Sequence, residues 1–175
     1  YLDTRPGNIP RTVSELIAGY KTLPETGPLP TISPERIKYY ETVAESPGVA
    51  DVSYLYTLTN KLPKTRNEIA ATMQDKNLDA IVFPTMLCPA SPLFTLETDT
   101  GYVCSVSDPY IPSYLASVTG FPEITVPAGM TRQGLPVGIS FFGVAYSEPR
   151  LIALAYAFEM ATKARRPPPT TPPVQ

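Results

Sequence analysis

Residues 117–143 read SVTGFPEITVPAGMTRQGLPVGISFFG. The Gly120-Phe121-Pro122 step predicts a corner. Phe121 precedes a proline and is driven toward extended backbone, so the change of direction falls on Gly120. Ile124 and Val126 then alternate with polar neighbours in a short strand bracketed by Pro122 and Pro127. Thr131-Arg132-Gln133-Gly134 reads as a reversal, with Gly134 at positive φ. Val137, Ile139 and Phe141 alternate with Gly138, Ser140 and Phe142 in the returning strand. Gly138 and Ser140 leave one face shallow, where another backbone can approach closely. The segment reads as scaffold: it holds no nucleophile in a recognisable setting and no metal-ligand spacing.

Upstream, LDAIVFPT (residues 78–85) is a continuous apolar run closed by Pro84. Coming directly after a helical stretch, it predicts the second half of a β-α-β unit, buried on both faces. Met86 to Ser113 is long, polar, proline-bearing and aperiodic. A loop of that length in a compact chain usually forms a functional wall or a lid. Downstream, Ser147-Glu148-Pro149 starts a helix whose Leu151, Leu154, Ala155 and Phe158 make a core stripe, and Pro167 lies beyond its end.

The N-terminal third is helical and punctuated by proline. Val13, Leu16, Ile17 and Tyr20 give Thr12–Lys21 a helical period. Ser33 as N-cap and Pro34 at the first position start a second helix that stops near Ser46-Pro47-Gly48. A third stretch, from about Asp51 to Lys76, is interrupted at Pro63. Thr65 to Glu68 fits a capping box, with Ile69, Ala70 and Met73 facing inward. The chain divides into a helical segment at 1–50, a main part at 51–164 and a proline-rich extended tail at 165–175. The tail reads as a frayed end in preference to an SH3-type ligand.

Composition removes several function classes. The 175 residues are 43% hydrophobic and 17% charged, which suits a packed core, and the net charge of −2 offers no basic field for nucleic acid or an anionic membrane. Tyr1 opens the chain without an initiator Met or a leader pattern, which reads as a cut or processed end. With no His, neither a Ser-His-Asp nor a Cys-His site can be assembled from this chain. Cys88 and Cys104 have no metal-ligand spacing, and two reduced thiols are favoured over a disulfide. Cys88 follows a strand end but has no basic neighbour, so a packed thiol is favoured over a nucleophile. The six lysines sit among polar residues and read as solvated charges. Glu97, Asp99 and Asp108 fall in the long loop, where acids are usually solvated. No cofactor or metal is called for.

In combination, TGFPEITVPAGMTRQGLPVGISFFG, the LDAIVFPT run and SEPRLIALAYAFE resemble the C-terminal segment of the amidase signature family. The family pattern runs Gly-x-Pro-x-Ile-x-Val-Pro-x-Gly, then Gly-Leu-Pro-Val-Gly, then a closing helix. It falls here on Gly120, Pro122, Ile124, Val126, Pro127 and Gly129, then Gly134, Pro136 and Gly138, then Leu151 to Glu159. Asp79 to Thr85 fits the family's upstream strand, and the match spans about Val52 to Glu159.

The resemblance implies an α/β fold, with a mixed β-sheet flanked by helices to which this chain contributes the C-terminal part. It implies hydrolysis of carboxylic amides by a Ser, cis-Ser, Lys triad, which uses no His. The triad belongs to a Gly- and Ser-rich segment on the N-terminal side. No residue here matches it, so no catalytic residue is assigned. Asp108, in the loop before the Gly-x-Pro corner, is the expected substrate contact, with Tyr110 and Tyr114 beside it. An Asx turn with Pro109 and Tyr110 is the competing role for Asp108. The expected partners are a small amide substrate and either the rest of the same enzyme or a second copy of the chain. Nucleic acid and membrane are not expected, and the location is cytoplasmic. A truncated, non-catalytic binding module is the alternative reading.

Overall fold

The structure is a computed structural model that describes residues 4–22, 34–91, 104 and 106–167. The chain forms two compact units, Tyr1–Leu55 and Tyr56–Gln175. Ser33, Glu97, Asp99 and the tail beyond Pro167 lie outside the described residues.

In the first unit, α1 (Val13–Lys21) packs against α2 (Pro34–Ala44). Thr12 caps α1, its Oγ1 accepting the Glu15 N–H at 3.1 Å, while Glu15 Oε2 accepts the Arg11 N–H at 2.6 Å. This is a variant of the capping box in which the glutamate reaches the N–H of the residue before the N-cap. Thr65–Glu68, where the sequence pattern placed one, lies inside a helix. Lys21 Nζ meets Glu41 Oε1 at 2.7 Å, tying α1 to α2 across an exposed surface. A 3₁₀ turn, Gly48–Ala50, precedes α3 (Val52–Tyr56). Asp51 Oδ1 accepts the Tyr54 N–H at 3.0 Å and the Ser53 hydroxyl.

In the second unit, Thr57–Lys61 is a π-helical turn that leads into α4 (Leu62–Asp75). The expected interruption is therefore a widened turn just ahead of Pro63, which sits in the first turn of α4. Pro63 has no N–H to donate four residues back, and a π turn absorbs the mismatch. With α4 beginning at Leu62, Thr65 is interior and is not its N-cap. Met73 is buried, and Ile69 and Ala70 are half-buried, on the inward face expected.

The sheet has three strands, β1 (Ile81–Pro84), β2 (Glu123–Met130) and β3 (Pro136–Phe142), in the order β1-β3-β2. Both pairings are antiparallel, with Phe83 opposite Ser140 and Thr125 opposite Ser140. This corrects the β-α-β expectation. Among the described residues β1 is an edge strand, and Val82 is 47% exposed, so one face of it is open. β2 also runs further than expected. It passes through Pro127 and bends at a bulge between Pro127 and Gly129. Pro127 is tolerated because β2 has β3 as its sole partner among the described residues, so the missing N–H can lie on the open side.

Val126, Phe141, Leu151 and Ala155 form the core, with Ala80, Ile124, Ile139, Leu154 and Phe158 packed around them. They join one face of the sheet to α6 (Glu148–Thr162). Phe141 and Phe158 meet edge to face at 5.8 Å. Burying a side chain such as Leu151 contributes about 1.5–3 kcal/mol, so this stripe accounts for the docking of α6. α5 (Ile111–Thr119) lies against α4, where Arg66 Nε donates to the Thr119 carbonyl.

Candidate functional site

Four short pieces shape the site, three of them where β1 ends and β3 begins and one, the corner, at the opposite end of the sheet. The first is the corner. Gly120 ends α5 with φ 68° and ψ 17°, and its N–H bonds the Ala116 carbonyl at 2.7 Å. Gly143 N–H then bonds the Pro122 carbonyl at 3.1 Å, which fastens the far end of β3 to the corner. Both features require the Gly-Phe-Pro step seen in the sequence.

The second piece is the turn before α5. Asp108 Oδ1 accepts the Tyr110 N–H at 3.0 Å and faces the Tyr114 hydroxyl at 3.4 Å. The Asx turn thus forms, and it presents Tyr110, which is 53% exposed. The third is the segment after β1. Its Leu87 N–H bonds the Pro109 carbonyl at 3.1 Å. The fourth is the start of β3, entered through the reversal that Gly134 makes at φ 78°.

The last three line an open cleft of about 470 Å³ whose walls are Met86, Cys88 and Pro89 on one side, Pro109 and Tyr110 on another, and Pro136, Val137 and Gly138 beneath. Its lining is mixed, somewhat more apolar than polar. Of the residues singled out from sequence, Tyr110, Pro136 and Gly138 meet here. Asp108 stands behind Tyr110 and positions it. Gly120, Pro122 and Gly129 lie away from the lining and shape the elements that carry it.

Below Gly138 is a hydroxyl cluster that the sequence pattern revealed only as a shallow face. Ser140 is fully buried, with Oγ 2.8 Å from Thr85 Oγ1 and 3.0 Å from Thr125 Oγ1. Each hydroxyl can donate once and accept twice, so the three satisfy one another across β2, β3 and the residue that follows β1. A Cβ on Gly138 would lie 2.9 Å from both Thr85 Oγ1 and Thr125 Cγ2. Glycine at 138 is what lets these threonines close over Ser140.

Cys88 and Cys104 form a disulfide with their Cα atoms 5.9 Å apart. This corrects the expectation of two reduced thiols and ends the case for Cys88 as a nucleophile. The pairing could not be inferred from spacing, because the fold brings the two together by folding residue 104 back toward the strand end. All six lysines, 21, 38, 61, 64, 76 and 163, are exposed, as their polar neighbours implied. Among the described residues no group of His, Cys, Asp and Glu side chains could hold a metal ion. Nor is any described helix long and apolar enough to cross a membrane.

Residues 37–152 match the Amidase family. The chain belongs to the amidase signature family. A probable amidase of Arabidopsis thaliana is 38% identical over 104 residues, covering 59% of this chain and 16% of that protein. A glutamyl-tRNA(Gln) amidotransferase subunit from Clostridium botulinum is 34% identical over 124 residues, or 70% of this chain and 24% of that one. The peptide amidase of Stenotrophomonas maltophilia superposes with a TM-score of 0.59 and 32% identity, covering 90% of this chain and 29% of the peptide amidase. The chain thus spans less than a third of each relative. The α/β architecture is that of amidase signature enzymes.

Proposed function

We propose that this chain is the C-terminal portion of a hydrolase that cleaves carboxylic amide C–N bonds. It supplies sheet scaffold and one wall of the substrate pocket, while the Ser, cis-Ser and Lys groups lie on sequence outside it. Membership of the amidase family over residues 37–152 carries the reading. The cleft bounded by Tyr110, Pro136 and Gly138 supports it, because the Pro136–Gly138 part of the Gly-Leu-Pro-Val-Gly stretch lines it beside Tyr110. In this reading 51–164 is the contribution to the amidase domain, and 1–50 and the tail at 165–175 are appended to it. Tyr110 is a wall against which the substrate packs. Asp108 Oδ1 is occupied by the turn, and its second oxygen is the acceptor offered to a polar substrate. Tyr114 holds the carboxylate in place.

The partners that follow are a small amide and either the rest of the enzyme or a second copy. The Clostridium relative is, by name, one subunit of an amidotransferase, which agrees with a chain that works in company. Cytoplasmic residence and an intact Cys88–Cys104 bond make opposite demands, since cytosolic thiols are kept reduced. Alkylating thiols in living cells before lysis distinguishes them: blocked cysteines place the protein in the cytoplasm, and a protected pair places it in an oxidising compartment.

Titration of the isotope-labelled chain with benzamide or a C-terminally amidated peptide tests the site by NMR. The amide signals of Tyr110, Val137 and Gly138 should shift together, and Gly138→Val should remove the response. Shifts elsewhere, or none at millimolar ligand, would refute the assignment of the cleft.

A further inference from the structure

The Cys88–Cys104 pair sits at the cleft. Cys88 lines the cavity wall and is 7% exposed, whereas Cys104 is half-buried. Cys104 belongs to the stretch that leads, six residues later, to Tyr110. The segment after β1 is therefore joined to the Tyr110 wall in two visible ways: non-covalently, through the Leu87 N–H to the Pro109 carbonyl at 3.1 Å, and covalently, through the sulfurs. A single backbone hydrogen bond is weak on its own. A cross-link over a 16-residue separation restricts the open states that would break it.

We propose that the Cys88–Cys104 disulfide is a redox-sensitive tie that holds the Tyr110 wall against the strand end, so that a dithiol reductant loosens the cleft. The link to ligand binding rests on reading the cleft as the amide site; the tie itself does not. The reductant's thiolate attacks the Cys104 sulfur, the less buried of the two, and the S–S bond breaks. The reductant's second thiol then resolves the mixed disulfide. Two electrons and two protons pass to Cys88 and Cys104, and the reductant leaves as its own disulfide.

The test compares hydrogen exchange in the full chain before and after mild treatment with dithiothreitol, with thiol state followed by maleimide labelling and intact mass. The amides of Leu87 and Tyr110 should exchange about tenfold faster once reduced, as local opening becomes easier. Those of Val126 and Ile139 in the sheet should not change. The double variant Cys88→Ser, Cys104→Ser should behave like the reduced chain and ignore the reductant. Equal rates at Leu87 and Tyr110 in both states would overturn the proposal, as would full maleimide labelling of protein purified under non-reducing conditions. A benzamide titration of the oxidised and reduced chains separates the two readings. Faster exchange without any benzamide response leaves the tie standing and removes the amide site. A benzamide response with unchanged exchange does the reverse.

Discussion

Gly120 is the single residue on which the corner depends. It occupies the left-handed region at φ 68°. A Cβ there would lie 3.7 Å from Arg66 Nη2, an ordinary contact, so the cost of a side chain is conformational and not steric crowding by a neighbour. A left-handed non-glycine residue costs roughly 1–2 kcal/mol, and a β-branched one costs more. Ala116 lies inside α5 and is half-buried. There valine loses only a few tenths of a kcal/mol of helix propensity, roughly 0.7 at most. Gly120→Val should therefore lower the melting temperature by several degrees more than Ala116→Val, read in parallel thermal scans. Equal shifts would mean that the corner is an ordinary loop. Gly120 was legible because Phe-Pro leaves one place for the turn. Cys88 was not, because disulfide pairing depends on which distant residue the fold returns to it.

Among the helices and strands, what could be read were features determined locally. The reversal at Thr131–Gly134 forms, with the Gly134 N–H on the Thr131 carbonyl at 3.0 Å. The α6 stripe faces the sheet as its period requires. What could not be read depended on neighbours. The apolar run at Ile81–Pro84 fits either a parallel interior strand or an antiparallel edge, and only its pairing with β3 decides. The start of α3 shows a local device with a measurable signature. Asp51 is held below the ordinary carboxylate value, first by the Ser53 hydroxyl and then by the Tyr54 N–H. A carboxyl lowered in the folded state adds stability above its unfolded value of about 4, and that contribution is lost as pH falls through the lowered value. The Tyr54 amide should thus lose protection, relative to pH 6, as the pH falls through that lowered value, after correction for intrinsic exchange. Asp51→Ala should abolish that difference. A pH-independent Tyr54 in the native chain would show that the cap carries no weight.

Taken entire, the chain supplies less than a third of an amidase signature fold. Two consequences follow. The three-stranded sheet has open edges in β1 and β2 among the described residues, and α6 exposes Ile152, Tyr156 and Met160 along the side away from its buried stripe. Unpaired edges and apolar faces favour association. Sedimentation should show a dimer or larger species at high concentration, with binding of an apolar dye when dilute. A clean monomer that binds no dye would count against an incomplete fold. The second consequence is chemical. The cleft has a wall and a floor, but the sequence offers no Ser, cis-Ser, Lys set. The most direct measurement is ammonia release by the repurified 175-residue chain from benzamide, a fatty amide and a C-terminally amidated peptide. Release should be no faster than the buffer blank on all three. Turnover that survives repurification and scales with chain concentration would contradict this, because the reacting groups would then have to lie within these 175 residues.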